Sequence, residues 1–160
     1  MGKLFNQART AHDRFASACN RAQSLLLLLI RLYWGWQFAQ DGWGKLTHLG
    51  RVTDYFTQLN LPAPHMTALF VSLIELVGGV LFAAGIVTRL TSLVLFVNMT
   101  VAFWTAEKEA FLGVISNPDK FQAADAYNYW FAALLILVLG PGLFAVDTFF
   151  KRRAESSQSS

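Results

Sequence analysis

MTALFVSLIELVGGVLFAAGIVTR, residues 66–89, is the stretch that decides the fold. It follows a Pro62-Ala63-Pro64 break and runs 22 residues to Val87 with a single ionisable side chain, Glu75. At the rise of an α-helix this covers roughly 33 Å, enough to cross a hydrocarbon core of roughly 30 Å. A carboxylate near the middle of such a span costs on the order of 2.5–3.5 kcal/mol even on lenient insertion scales. It must therefore face protein and have a partner. Gly78, Gly79, Phe82 and Ala83 share its helical face, so another helix can come close there. The stretch predicts a membrane bundle built around a buried polar pairing.

Three further spans are predicted around it. The first covers about residues 24–46. It opens with a leucine run, but Arg31, Gly35, Phe38, Gly42 and Lys45 form one polar and small stripe that must turn inward. The third, about 90–106, begins after an abrupt Thr88-Arg89 turn and holds Asn98 in its middle. The fourth, about 129–150, is interrupted by Gly140-Pro141-Gly142, where proline removes a donor and crowds the carbonyl of Leu137, so a kink is expected. Between the first two spans, Leu46, Leu49, Val52, Phe56 and Leu59 recur at helical spacing, which suits a short amphipathic interfacial helix. Residues 107–128 form a second outer connection in which Phe111, Leu112, Val114, Ile115 and Phe121 are expected to dip into the interface. The predicted class is all-α: a four-helix transmembrane bundle with interfacial helices in the two outer loops. Its parts are a cytoplasmic N-terminal tail at 1–22, a membrane domain at 23–150 and a cytoplasmic tail at 151–160, of which residues 155–160 are expected to be polar and disordered.

Composition supports this and removes several functions. Of 160 residues, 54% are apolar and 14% charged, against about 25% charged in an ordinary soluble domain. No basic, aromatic-interleaved soluble domain is present to bind nucleic acid. Cys19 is the only cysteine, which excludes an intramolecular disulfide and a CxxC redox pair. His12, His48 and His65 fall in tails or loops, so neither a bis-histidine haem nor a metal site inside the bundle is expected. No phosphate loop, nucleophile elbow or zinc-protease motif occurs.

Charge counting sets the orientation. One side holds eight basic residues (Lys3, Arg9, Arg14, Arg21, Arg89, Lys151, Arg152, Arg153) and the other four (Lys45, Arg51, Lys108, Lys120). This places both termini in the cytoplasm, with Trp43, Trp104 and Trp130 at the outer interface. Counting the helical rise from the span ends puts Arg31 roughly 10 Å, Asn98 roughly 12 Å, Glu75 roughly 16–17 Å and Asp147 roughly 5 Å from the cytoplasmic boundary. One network is therefore expected, with Arg31 as cation, Glu75 and Asp147 as carboxylates and Asn98 as a neutral bridge. Such a pair can simply fix the register of a bundle, or it can handle protons or a ligand. Tyr33, Trp34 and Trp36 can line a flat apolar ligand such as a quinone, or serve packing alone.

With these residues assembled, the chain resembles the DoxX family of small membrane proteins over about Leu25–Asp147. The resemblance rests on Arg31…Gly35…Phe38…Gly42-x-x-Lys45, on Phe56 and Leu61-Pro62, on Glu75-x-x-Gly78-Gly79 and Gly85-x-x-Thr88, and on Gly140-Pro141-Gly142-x-x-x-x-Asp147. Two places before the aspartate, where the family usually has a small or hydroxyl residue, this chain has Ala145, which supplies no hydroxyl. The resemblance implies a four-helix inner-membrane protein whose relatives include subunits of quinone-linked oxidoreductases and of oxidative-stress assemblies. The implied role is an accessory subunit of such a complex, with oxidoreductase subunits as partners and quinone as the candidate cofactor. A standalone scaffold, and a solute or proton transporter acting as a homo-oligomer, stand as alternatives. Enzymatic activity is left open.

Overall fold

The structure, a computed structural model, describes the backbone of residues 2–158 and the side chains of these except residues 2–8, 10–14, 18, 152, 155 and 158. Of the charges counted above, the side chains of Lys3, Arg14 and Arg152 lie outside that set, as do residues 159 and 160 of the C-terminal tail. The described residues form eight helices and no strand: α1 Gly2–Thr47, α2 Leu49–Gln58, α3 Pro64–Ala84, α4 Thr88–Ala106, α5 Lys108–Leu112, α6 Pro118–Gln122, α7 Asp125–Leu139 and α8 Val146–Gln158.

Among the described residues two helices, α3 and α4, are long and apolar enough to cross a membrane, and α7 is a shorter apolar helix. Only 33% of the apolar window of α3 and 28% of that of α4 are buried, whereas the core helix of a soluble protein is mostly buried. Their outward faces carry Phe70, Leu73, Val77 and Val80, and Leu90, Leu93, Val97 and Val101, all exposed. α1 packs along α3 and α4 along α7, while α3 also meets α4 and α1 meets α7. Phe38, Phe82, Leu95, Met99 and Ile136 form the core between them.

The ends of α3 follow from local chemistry. Pro64 stands in its first turn, where a missing N–H costs nothing. Gly85, at φ 72°, ends it in a Schellman arrangement: Ile86 N–H donates to the Leu81 carbonyl at 3.0 Å and Gly85 N–H to the Phe82 carbonyl at 3.2 Å. Val87 then takes φ 45°, a rare conformation for a β-branched residue, before α4 begins.

α1 and α3 touch backbone to backbone. A Cβ added at Gly79 would lie 2.5 Å from the Ala39 nitrogen and 2.6 Å from the Gly35 carbonyl oxygen. One at Gly35 would lie 2.7 Å from the Gly79 carbonyl oxygen, and Gly42 is pressed against the Leu76 backbone. Gly78 faces the other way, onto Leu95 of α4. These approaches fix the antiparallel register: the turn around Gly42 opposes Ser72–Leu76, and the level of Arg31 opposes Gly85.

The fourth span and the two tails differ from the sequence expectations. The fourth span does not kink and continue; α7 stops at Leu139, and α8 is a separate helix. Pro141 lacks the N–H that would extend the ladder, and Gly140 (φ 85°) and Gly142 (φ 74°) turn the chain out of helical geometry on either side of it. The C-terminal tail is helical to Gln158, and the N-terminal segment runs unbroken into the first long helix. In the outer connection, Phe121 stacks on Phe103 at 5.2 Å and is buried, and Phe111 packs beside it. Leu112, Val114 and Ile115 are exposed.

Replacing Gly79 with leucine forces α1 and α3 apart, and thermal unfolding in detergent should show a loss of about 1–3 kcal/mol or more. Gly44 has nothing within 4 Å of a built Cβ, so Gly44→Ala should match or exceed wild-type stability by up to about 1 kcal/mol.

Candidate functional site

Glu75 sits on α3 facing α1 and α4, and it is 1% exposed. Its Oε2 receives Lys45 Nζ from α1 in an ion pair, and its Oε1 accepts from Asn98 Nδ2 of α4 at 3.3 Å. Three helices thus meet at one carboxylate. The Lys45 side chain remains 34% exposed, so its stem crosses from the surface to the buried acid. Nearby, Tyr129 of α7 donates its hydroxyl to Asp41 of α1, and both groups are electrostatically coupled to Glu75. The Tyr129 ring packs edge-on against Phe38, centroids 4.8 Å apart, and Trp34, 5.1 Å apart. Asp41, Lys45, Glu75, Asn98 and Tyr129 form one polar cluster with an aromatic wall.

Arg31 belongs elsewhere. It is fully buried, and its Nη2 donates to the Phe144 carbonyl at 2.8 Å. Its Nε and Nη1 have no hydrogen-bond acceptor among the described residues. Gly85 packs directly on the guanidinium: a Cβ at position 85 would lie 2.0 Å from Arg31 Nη1 and 2.8 Å from the Ala145 Cβ. Asp147 attracts it electrostatically but lies beyond ion-pair distance. That carboxylate instead caps α4: Oδ1 accepts from Val87 N–H at 2.7 Å, and Oδ2 accepts from Thr88 N–H and Thr88 Oγ1, each at 2.7 Å. The Asp147 N–H returns a bond to the Gly85 carbonyl at 3.0 Å. Burial alone would raise the Asp147 pKa, but the Thr88 and Val87 donors and the Arg31 charge hold it below the ordinary carboxylate value.

The single network expected around Arg31 is therefore divided. Glu75 and Asn98 meet in one cluster, with Lys45 as the cation; Arg31 and Asp147 flank the α3–α4 turn in another. The α1–α3 register puts Arg31 level with Gly85, ten residues from Glu75, or about 15 Å along the axis, too far for one side chain to span. Depth counted from span ends misses this offset, because α1 is one helix from Gly2 to Thr47 with no end near residue 24. The signal that finds it is the glycine stripe: Gly42 opposite Ser72–Leu76 leaves Lys45, one turn on, to reach Glu75.

The other site residues are placed as follows. Trp34 faces the cluster, Tyr33 packs edge-on against Trp34 at 5.0 Å while 59% exposed, and Trp36 points outward at 63% exposed. Gly140, Pro141 and Gly142 lie at the Arg31 end, with Gly142 against Leu27 and Ser24. Among the described residues no group of three His, Cys, Asp or Glu is placed to hold a metal ion. An open cleft of about 500 Å³ lies at the α4–α5–α6 connection, lined by Glu107, Lys108, Glu109 and Lys120, and includes no member of the polar cluster.

The family model described as DoxX matches residues 26–108, just over half of the chain. That range contains Arg31, Lys45, Glu75 and Asn98 but neither Tyr129 nor Asp147. No curated protein and no solved structure matches the chain.

Two outcomes follow from this geometry. Lys45→Met leaves a buried carboxylate unpaired and should cost on the order of 3 kcal/mol in thermal unfolding, whereas Lys45→Met with Glu75→Met should recover most of that loss. Because the Asp147 pKa is lowered by folding, its contribution is present above about pH 4 and is lost as pH falls through the folded value. Unfolding midpoints of the wild-type chain should fall between pH 5 and about pH 3 more steeply than those of Asp147→Asn.

Proposed function

The chain belongs to the DoxX family of membrane proteins, and on that footing we propose that it is an accessory subunit of a quinone-linked membrane redox or oxidative-stress complex. In this reading the C-terminal half of α1 joins α3, α4 and α7 in a four-helix transmembrane bundle in the cell's inner membrane. Both termini are cytoplasmic, and α2, α5 and α6 lie at the outer interface. The exposed Trp43 and Trp104 at the α2 and α5 end support that orientation.

The observation that carries the proposal is the 1%-exposed Glu75 carboxylate on an apolar helix, joined to Lys45 and Asn98 and coupled to the Asp41–Tyr129 pair. Ionisable groups inside a membrane are costly and mark ligand or proton pathways. A quinone exchanges protons as well as electrons. The cluster supplies what that needs: a lysine ammonium to donate to a quinone carbonyl oxygen, a carboxylate to take or give a proton, and Trp34 to flank a flat ring. Tyr33 and Trp36 face outward, on the side from which a lipid-soluble molecule arrives.

An architectural role is the second reading, favoured by the way Lys45, Glu75 and Asn98 tie α1, α3 and α4 together. A transport role loses support. It relied on the GPG break lying beside buried carboxylates, whereas that break sits by Arg31, Asp147 is occupied capping α4, and Glu75 is about 15 Å away along the axis.

Gentle detergent extraction followed by mass spectrometry tests the proposal. The wild-type chain should carry quinone and an oxidoreductase subunit, and Glu75→Gln should remain folded while its quinone content falls several-fold. A folded wild-type chain that carries neither would overturn the reading.

A further inference from the structure

α8 is a 13-residue helix with no extended packing against any other described helix. Helices of that length are marginal in water when nothing supports them. Its attachment is polar and confined to its first turn. Asp147 is clasped to Val87, Thr88 and Gly85, and Thr148 Oγ1 donates to the Gly142 carbonyl at 2.8 Å. Just before it, Arg31 holds the Phe144 carbonyl. These bonds set the direction in which the helix leaves, but they cover none of its length.

What the helix leaves uncovered is apolar. Phe149 and Phe150 are 62% and 63% exposed, and Leu143 and Phe144 on the approach are 47% and 58% exposed. Directly after the phenylalanines comes Lys151-Arg152-Arg153, with Lys151 and Arg153 exposed. Arg89 lies by Gly140, and both Arg89 and Arg21 are exposed at the same end of the molecule. Aromatic side chains next to a concentrated positive charge, on a helix joined directly to a membrane-embedded domain, match the boundary between lipid tails and acidic headgroups.

We propose that α8 is an in-plane helix that docks on an anionic phospholipid surface, with Phe149 and Phe150 entering the lipid and the positive charge of the 151–153 run attracting the headgroup phosphates. The Arg31–Phe144 and Asp147–Thr88 bonds hold its root at the membrane surface. The occupant is lipid on grounds of charge complementarity, since the basic run would repel the same run on a second copy. The inference requires the chain to sit in a membrane and does not depend on the redox reading; absence of quinone or of a redox partner leaves it unchanged.

The full chain carrying Cys19→Ser and Ala154→Cys, with a nitroxide label at position 154, gives the test. Ala154 is one turn beyond Phe150 and shares its face. The protein is placed in nanodiscs of phosphatidylcholine alone, or of phosphatidylcholine and phosphatidylglycerol in equal parts. Accessibility of the label to a water-soluble relaxant is then measured by electron paramagnetic resonance. In the anionic discs the label should be immobilised and shielded; in neutral discs it should be exposed. The three basic residues together should shift the docked-to-free ratio by roughly a hundredfold. Adding Lys151→Gln, Arg152→Gln and Arg153→Gln should expose the label in both lipids without altering the rest of the fold. Equal accessibility in the two lipids, shielding that survives the triple substitution, or shielding seen only when two copies share a disc would each overturn the proposal.

Discussion

The backbone contact between α1 and α3 is the constraint on which the rest depends. Gly35, Gly42 and Gly79 leave no space for a Cβ, so the two helices can sit at that distance only in this antiparallel register. Once it is set, the levels of all polar groups on both helices are set with it. Lys45 comes opposite the turn of Glu75, and Arg31 opposite Gly85. In a membrane the hydrophobic effect gives helices little reason to associate, and close packing of small residues supplies the attraction instead. The same glycines therefore serve cohesion and alignment.

The Arg31 end shows how the second cluster is built from backbone as much as from side chains. Val87 in left-handed geometry is a strained residue, and strain of that kind costs on the order of 1–3 kcal/mol unless the surroundings enforce it. Asp147 enforces it by accepting the N–H groups of Val87 and Thr88. That carboxylate can reach them only because α7 ends at Gly140 and the chain turns back to start α8 next to the α3–α4 turn. Arg31 secures the returning strand of chain at the Phe144 carbonyl. The GPG break thus brings a carboxylate onto the N-terminus of α4, where the exposed amides and the helix dipole both favour negative charge.

Much of the helical layout was legible, and the reasons are local. Pro64 marks the start of α3 by its own backbone limits. Its end falls at Gly85, short of the Val87 to which the apolar run extends, because Gly85 and Val87 both take left-handed geometry. An apolar run of that length admits few readings, and the same holds for α4, although its helix already begins at Thr88, where the sequence suggests a turn. Glu75 stood out because charge is rare in such a run, and the Arg31–Gly35–Gly42–Lys45 stripe was visible as a face. The partners were not legible. Pairing depends on the register between two helices, and α1 has no break at residue 24 from which depth could be counted, because it is helical from Gly2 to Thr47. The acceptor for Arg31 is a backbone carbonyl, which no side chain announces. Tyr129 comes from α7 and reaches Asp41 only through tertiary packing.

The register also bears on why the Lys45–Glu75 pair is there. A buried ion pair is seldom a net source of stability compared with apolar residues of the same size, and its best-attested structural use is to specify register. In this chain three glycines already specify the register by steric exclusion, so an ion pair adds little as an alignment device. It does add a carboxylate within the apolar part of the molecule, held by a lysine that reaches the surface and coupled to a tyrosine–aspartate pair. Two methionines at 45 and 75 would pack between the same helices without the desolvation cost. That the chain carries the charged pair where the glycines make it redundant for alignment weighs toward chemistry at Glu75 rather than architecture.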